Sequence, residues 1–407
     1  MDEEAAAEPT DPGAAPTTST RRRVLKRVGL GALVLLLVLA LVLTYAYRKL
    51  NGNLTTGDYD DVFVEPRPTE EPVDGDPIDI LVMGSDSREG DNNVDGLTGL
   101  GNRSDTTILI HLSADRERAY GVSIPRDALV ERPDCRDPET DEIIPGGTRE
   151  QWNEAFQVGG PGCTQSQFEQ LSGIRVEYTV VVDFSGFKDI VDAVGGVTIC
   201  VPETIHDSTT GITLEAGERE VFGEEALDYI RLRTGTNEAG EKVVDGSDPG
   251  RIKRQQAFIA AMSSKIVSAK TLTNPKKLFD VLDAATKSIE ITGADDLMDL
   301  ATLGYQFRGI GTDKIQFLTI PWEYTPDFLR VELLPEGDAV WERLRRDQPL
   351  TREQLSDATN AAEAPGSEAT PPSPTKTPGS SPSGTPSSPS TSPSVPTTTD
   401  TSRDGLC

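Results

Sequence analysis

The hydrophobic positions of this chain fall into three regimes. The first is a continuous apolar run, Val28 to Tyr47 (VGLGALVLLLVLALVLTYAY), with no charge inside it. As a helix it would cross the ~30 Å of hydrocarbon in a bilayer. The second regime, from Pro77 to about Arg346, has short apolar runs alternating with amphipathic stretches. Period-two or continuous apolar patterning predicts strands over Ile78–Met83, Thr106–Leu112, Arg118–Ile124, Glu177–Phe184, Val197–Val201 and Lys314–Ile320. Helical spacing predicts helices over Arg149–Phe156, Thr164–Leu171, Phe187–Ala193, Glu224–Leu232, Pro249–Ala269, Pro275–Ile289 and Ala294–Tyr305. Strands alternating with helices predict a mixed α/β domain with one central sheet flanked by helices. The third regime, from about Ala364, is Ser, Thr and Pro with almost no apolar positions. Such a composition cannot bury a core and reads as an extended, disordered tail.

The expected organisation is a disordered leader over 1–27, a membrane helix over 28–47, an acidic linker over 51–76, a folded domain over 77–346 and a tail over 364–407. Arg21, Arg22, Arg23, Lys26 and Arg27 precede the apolar run, and only Arg48 and Lys49 follow it. The heavier basic flank stays in the cytoplasm, which puts the N-terminus inside and the folded domain outside. A cleaved signal peptide is the competing reading, but the run is long for one and lacks a clean small-residue cleavage site. The net charge of −28 argues against nucleic acid as a partner, since phosphate-backbone binding needs a basic face.

The cysteines are Cys135, Cys163, Cys200 and Cys407. No CxxC occurs, so a zinc ribbon is disfavoured. Outside the cytoplasm a disulfide is permitted. Cys135–Cys163 joins two Pro/Gly-rich loops; Cys163–Cys200 is the alternative. Cys200 otherwise reads as a buried thiol in a strand, and Cys407 as a free thiol. His111, alternating with apolar residues, reads as structural.

Four polar clusters sit at strand ends and helix starts. Gly84-Ser85-Asp86-Ser87-Arg88 follows the first strand, and Arg103-Ser104-Asp105-Thr106 opens the second. Asp86 and Asp105 read either as oxygen donors to a hard divalent ion, Mg²⁺ or Mn²⁺, or as ordinary turn residues. Ser123-Ile124-Pro125-Arg126-Asp127 ends the third strand. Arg231 and Arg233 end a helix, and Asp248-Pro249-Gly250-Arg251 starts another, with Arg254 and Gln255 one turn on. Asp248 suits an N-cap and Pro249 the first helical position. Several arginine forks gathered at a helix N-terminus suit the oxygens of a pyrophosphate.

In order along the chain, ILVMGSDSR, RSDTTILI, SIPRD, NEAFQVGG, VVVDFSGFKDIVDAVGGVTI, LEAGEREVFGEEALDYIRLR and DPGRIKRQQ resemble the LytR-CpsA-Psr family of bacterial envelope proteins. The resemblance covers roughly residues 77 to 270. It implies a greasy channel for a polyprenyl chain and a charged mouth for its pyrophosphate. It implies Mg²⁺-dependent transfer of a glycopolymer (arabinogalactan, teichoic-acid-like or other) from polyprenyl pyrophosphate to peptidoglycan. The Pro/Ala-rich composition and Cys-containing loops look actinobacterial. Carried over, Asp86 and Asp105 match the metal-associated aspartates. Arg88, Arg126, Arg231, Arg233, Arg251 and Arg254 match the pyrophosphate-binding arginines, with Asp248 and Gln255 close by. The catalytic set so implied is Asp86, Asp105, Arg126, Arg251 and Asp248. Two departures stand out: the segment between Arg233 and Asp248 is long and polar, and Phe156 stands where the family often has Tyr. The readings that compete are a lipid-binding or regulatory envelope protein and a pyrophosphate hydrolase.

Overall fold

The computed structural model describes residues 18–85, 104–137, 140–245, 248–268, 271, 273–307 and 310–365. Helix α1 spans Thr18–Asn53. Within it Leu25–Asn53 is long and apolar enough to cross a membrane. The chain divides into two compact units at Gly52/Asn53.

The second unit is built on an eight-stranded mixed sheet. Its strands are β1 (Thr55–Thr56), β2 (Ile78–Ser85), β3 (Ser104–Leu112) and β4 (Ala119–Ile124). They are joined by strands further along the chain. A side sheet contributes β5 (Ala128–Arg132) and β6 (Gly147–Gln151), and the main sheet resumes with β7 (Tyr178–Asp183), β8 (Ile289–Thr292) and β9 (Ile315–Thr319). The strands β10 (Trp322–Tyr324) and β11 (Val331–Leu333) complete the side sheet, and β12 (Thr359–Asn360) ends the main one. The main sheet runs β1-β8-β7-β2-β3-β4-β9-β12, and the side sheet β10-β11-β5-β6. The antiparallel hairpin β2–β3 is central, with β7 parallel to β2 and β9 parallel to β4. Regular pairing therefore starts before Pro77, at Thr55–Thr56, and continues past Arg346 to Thr359–Asn360.

The helices of this unit are α2 (Glu154–Ser172), α3 (Phe184–Ala193), α4 (Gly223–Arg231), α5 (Asp248–Val267), α6 (Pro275–Ser288), α7 (Leu297–Gln306) and α8 (Glu336–Arg345). The central strands are apolar on both faces, as strands covered on both sides must be. On one face Leu81, Met83, Leu109, Val122 and Val181 pack with Trp152, Phe168 and Trp341 into a closed core. Phe168 and Trp341 meet edge to face at 5.8 Å. On the other face lie the alternate positions Ile80, Val82, Ile108, Ile110, Val180 and Val182, of which Ile80, Val82, Ile110 and Val180 pack with Leu303, Phe307 and Ile310. They line a cavity of about 1610 Å³ roofed by residues of α3, α5 and α7.

Most expected elements lie within a few residues of their observed bounds. The exception is Arg149–Phe156, expected as a helix. Gly147–Gln151 is instead a strand paired antiparallel with β5, and α2 starts only at Glu154. Pairing with a neighbouring strand overrides local helical spacing there. Cys135 and Cys163 form a disulfide with a Cα–Cα distance of 5.5 Å. A Cβ at Gly159 would lie 2.7 Å from the Cys163 Cβ, so glycine is needed beside the bridge. Cys200, read above as a buried thiol or the alternative partner, is also disulfide-bonded. Cys407 and the rest of the tail from 366 lie outside the described residues.

Candidate active site

The register of the sheet brings one set of strand ends together. Ser85 lies opposite both Ser104 and Asp183, Thr107 opposite Ile124, and Ser123 opposite Thr319. The second and third polar clusters thus meet at one edge although about twenty residues separate them. Pro125 ends β4 and cannot donate to a ladder. The Arg126 side chain reaches back to Asp105, Nη1 to Oδ1, at 2.6 Å. Arg126 Nε lies 3.4 Å from the Asp127 carboxylate.

Two further arginines converge on Asp105. Arg233 Nη2 donates to its Oδ2 at 3.2 Å, and Arg251 Nη2 to its backbone carbonyl at 3.5 Å. Burial pushes the Asp105 carboxyl up, but the charges of Arg251, Arg126 and Arg233, with the Arg126 hydrogen bond, outweigh it and hold the group below the usual carboxylate range. Asp105, Arg231, Arg233, Arg251 and Gln255 all line the cavity. The apolar hollow therefore opens onto a charged mouth where arginines stand among acids. Arg231 lies over the Phe184 ring at 4.9 Å, which leaves its in-plane N–H groups to point elsewhere.

Arg254 is placed differently. It is fully buried and its Nη2 donates to the Leu232 carbonyl, the residue between Arg231 and Arg233. Its neighbour Gln256 donates to Ser123 Oγ at 2.9 Å and Thr319 Oγ1 at 3.1 Å. These contacts fix α5 against the ends of β4 and β9. Asp86 and Arg88 lie outside the described residues, as does the side chain of Asp248, whose backbone opens α5.

Sequence reasoning passed over two acids that line the cavity, Asp183 and Asp228. Asp183 caps α3 by accepting from the Gly186 N–H at 2.7 Å. The string VVVDFSG, an Asp between a strand and a helix start, is the signal that marks it. Burial, reinforced by Glu224, raises the Asp228 carboxyl above its ordinary value, against the pull of Arg231.

The LytR_cpsA_psr family model matches residues 46–341. The chain belongs to that family. Among its curated relatives, "Probable cell wall biosynthesis protein LcpB" of Corynebacterium glutamicum is 30% identical over 287 residues, 69% of this chain and 61% of the relative. The Bacillus subtilis protein named polyisoprenyl-teichoic acid–peptidoglycan teichoic acid transferase TagU is 30% identical over 213 residues, 52% of this chain and 60% of its own length. The chain thus spans about three-fifths of these relatives. Of solved structures, the LytR-Csp2A-Psr enzyme from Actinomyces oris superimposes with a TM-score of 0.54 at 22% identity, covering 72% of this chain and 96% of that one. That likeness confirms the LytR_cpsA_psr fold: a central mixed sheet flanked by helices.

No group of three or more His, Cys, Asp or Glu side chains able to hold a metal is present among the described residues. Asp105 nevertheless offers hard oxygens beside the mouth. Mg²⁺ commonly takes only one or two carboxylates, completing its shell with phosphate oxygens and water. The donor chemistry of Asp105 fits such an ion, for which it would supply one carboxylate ligand.

Proposed function

We propose that this protein is a membrane-anchored phosphotransferase. It moves a cell-wall glycopolymer from polyprenyl pyrophosphate onto peptidoglycan and leaves a phosphodiester. One observation carries the reading: an apolar cavity of about 1610 Å³ that opens on Asp105 and its arginines. Pockets for compact small molecules occupy roughly 300–1,000 Å³. A longer apolar chain with an anionic head is the ligand class that uses both the extra length and the guanidiniums. The names of the relatives, cell wall biosynthesis protein and teichoic acid transferase, support the same assignment. The basic residues at the start of α1, ahead of its apolar run, favour a cytoplasmic N-terminus and an extracellular second unit.

The polyprenyl tail lies among Ile80, Ile110, Val180 and the facing residues of α3 and α5. Arg126, Arg231, Arg233 and Arg251 take the pyrophosphate oxygens, and Arg88 joins them from the segment after β2. A wall hydroxyl attacks the sugar-side phosphorus. The new P–O bond forms as the bond to the bridging oxygen breaks, and polyprenyl phosphate leaves with that electron pair. The hydroxyl proton passes to a carboxylate, for which Asp127, Asp228 and Asp248 are the candidates. Mg²⁺ (or Mn²⁺), held by Asp86 and Asp105, would supply further neutralisation of the phosphate charge. Phosphoryl transfer asks mainly for positioning and charge stabilisation, so the site needs neither His nor Cys.

The test uses full-length protein in detergent with a short polyprenyl-pyrophosphate glycan, Mg²⁺ and nascent peptidoglycan. Labelled glycan should appear on peptidoglycan and fall at least ~10²-fold in Asp105→Ala and Arg251→Ala, as for lost transition-state donors. Release of free phosphorylated glycan without acceptor would mean a hydrolase. Bound lipid without turnover would mean a binder. Mg²⁺ should raise the melting temperature of the lipid-loaded protein, less so after Asp105→Asn.

A further inference from the structure

The donor cavity occupies one face of the main sheet. On the other face, at the same sheet edge as the mouth, the chain leaves β9 and turns into the β10–β11 hairpin. The Ile320 N–H donates to the Ser123 carbonyl at 3.0 Å, and the Val331 N–H to the Asp127 carbonyl at 3.3 Å. Val331 lies opposite Ala128 in register, two residues from Arg126. Ala128, Val130 and Val331 belong to the closed core, and Trp322 and Leu333 pack against it. The hairpin is therefore bound firmly to the Arg126–Asp127 corner of the site, on the side away from the cavity.

It carries a row of aromatic rings. Trp322 and Tyr324 are two apart on a strand and share a face. Their rings meet edge to face with centroids 5.0 Å apart, and the Phe328 ring lies 5.8 Å beyond Tyr324. Exposure grows along the row, with Tyr324 39% and Phe328 75% exposed. The loop that presents Phe328 is tightly built. Thr325 Oγ1 donates to the Asp327 carboxylate at 2.5 Å and accepts from the Arg330 N–H at 3.1 Å. Asp327 also accepts from the Leu329 N–H at 3.1 Å. Within this loop Phe328 has a φ of +58°, which a bulky residue rarely adopts. A strained ring in water contributes little to the folded state, and such strain concentrates at binding sites.

We propose that the row formed by Trp322, Tyr324 and Phe328 is the landing surface for the acceptor glycan, a strand of linked hexosamine rings. This rests on the transferase reading. The C–H faces of a pyranose carry partial positive charge and pack on the negative face of an aromatic ring. Exposed Asp327, in the loop that presents Phe328, accepts from sugar hydroxyls. The same carboxylate opposes an anionic bilayer surface, which draws basic segments instead. The placement also meets a demand of the chemistry. In-line displacement brings the attacking oxygen in opposite the leaving group. With the lipid on one face of the sheet, an acceptor held on the other reaches the phosphorus from the required side.

The experiment measures binding of donor-free, uncrosslinked glycan strands to full-length protein in detergent, for the parent, Tyr324→Ser, Phe328→Gly and Phe328→Trp. Each lost ring should weaken glycan binding by roughly three- to tenfold, while Phe328→Trp retains it and polyprenyl-pyrophosphate binding stays at the parent value. Phe328→Gly relieves the positive φ, so its melting temperature should hold or rise, separating lost recognition from lost folding. Parent-like glycan binding in both ring-deletion variants overturns the proposal. So does unchanged glycan binding with loss of association to anionic-lipid vesicles, which would assign the row to the membrane. Because no donor is present, the result is readable even if transfer itself fails its own test.

Discussion

Arg254 shows how one side chain can matter to a site it does not line. It is fully buried, with its guanidinium on the Leu232 carbonyl, so it holds the backbone that carries Arg231 and Arg233. Arg254→Ala leaves a buried carbonyl without this donor and opens a void. The expected cost is about 2–4 kcal/mol, read from chemical denaturation midpoints, with weaker binding of the pyrophosphate head. Arg254→Lys should not restore it, because an ammonium lacks the planar fork. Far from the mouth, His111 sits between two acids, Nδ1 at 2.8 Å from Asp79 Oδ1 and Nε2 at 3.3 Å from Asp347 Oδ1. Arg118 also pairs with Asp347, and the Asp79 backbone N–H donates to the Glu177 carboxylate. Burial lowers the His111 pKa, but Asp79 and Asp347 more than reverse this and raise it to about 9. The folded value exceeds the unfolded one, so its contribution is complete below the ordinary value near 6.5 and is lost as pH rises through about 9. Glu177, raised to about 8 by burial and then by the Asp79 charge, adds a loss of the same sign at lower pH. Stability should fall on the order of 6 kcal/mol between pH 6 and 9.5. Melting curves across that range check it, and His111→Asn should flatten the upper part.

At the scale of elements, the Cys135–Cys163 bridge ties the loop after β5 to α2 across a sequence separation of 28. By loop-closure entropy a bridge of that span is worth about 3–4 kcal/mol. Cys135→Ser should lower the unfolding free energy by that amount while leaving donor binding in place, since the bridge lies outside the cavity wall. The pairing was legible as one of two options because both cysteines sit in Pro/Gly-rich sequence, although Cys163 proves to lie within α2. The central strands were legible because both faces are buried, which leaves apolar runs that hardly admit another reading. The Asp105–Arg126 contact was foreshadowed by polar clusters at consecutive strand ends, but only the antiparallel register of β3 and β4 puts them side by side. Gly147–Gln151 was misread because its strand partner, β5, supplies information that local spacing lacks. The inward turn of Arg254 was hidden as well. Arg251 and Arg254 share a helix face, and nothing local says that one meets the cavity while the other meets a carbonyl behind it.

For the whole molecule, the two faces of one sheet differ in a way that sets its work. Period-two alternation sends Leu81, Met83, Leu109 and Val122 into a packed core and Ile80, Val82, Ile108 and Ile110 into a hollow. The strands are equally apolar on both sides, so the hollow follows from the spacing of α3, α5 and α7 above them. An apolar wall that borders open space forfeits dispersion contacts, and a lipid tail would restore them. Val180 of β7 lines that wall. Val180→Trp should be tolerated within about 1 kcal/mol, unlike ordinary overpacking at 1–3 kcal/mol, because the ring enters open space. It should also displace the tail. A ligand at a hundred times its Kd stabilises by about 2.7 kcal/mol, so polyprenyl pyrophosphate should raise the melting temperature of the parent and not of Val180→Trp. Lipid extracted from the two purified proteins and weighed by mass spectrometry gives a second readout. Equal lipid content and equal stabilisation in both would place the tail elsewhere and remove the cavity from the mechanism.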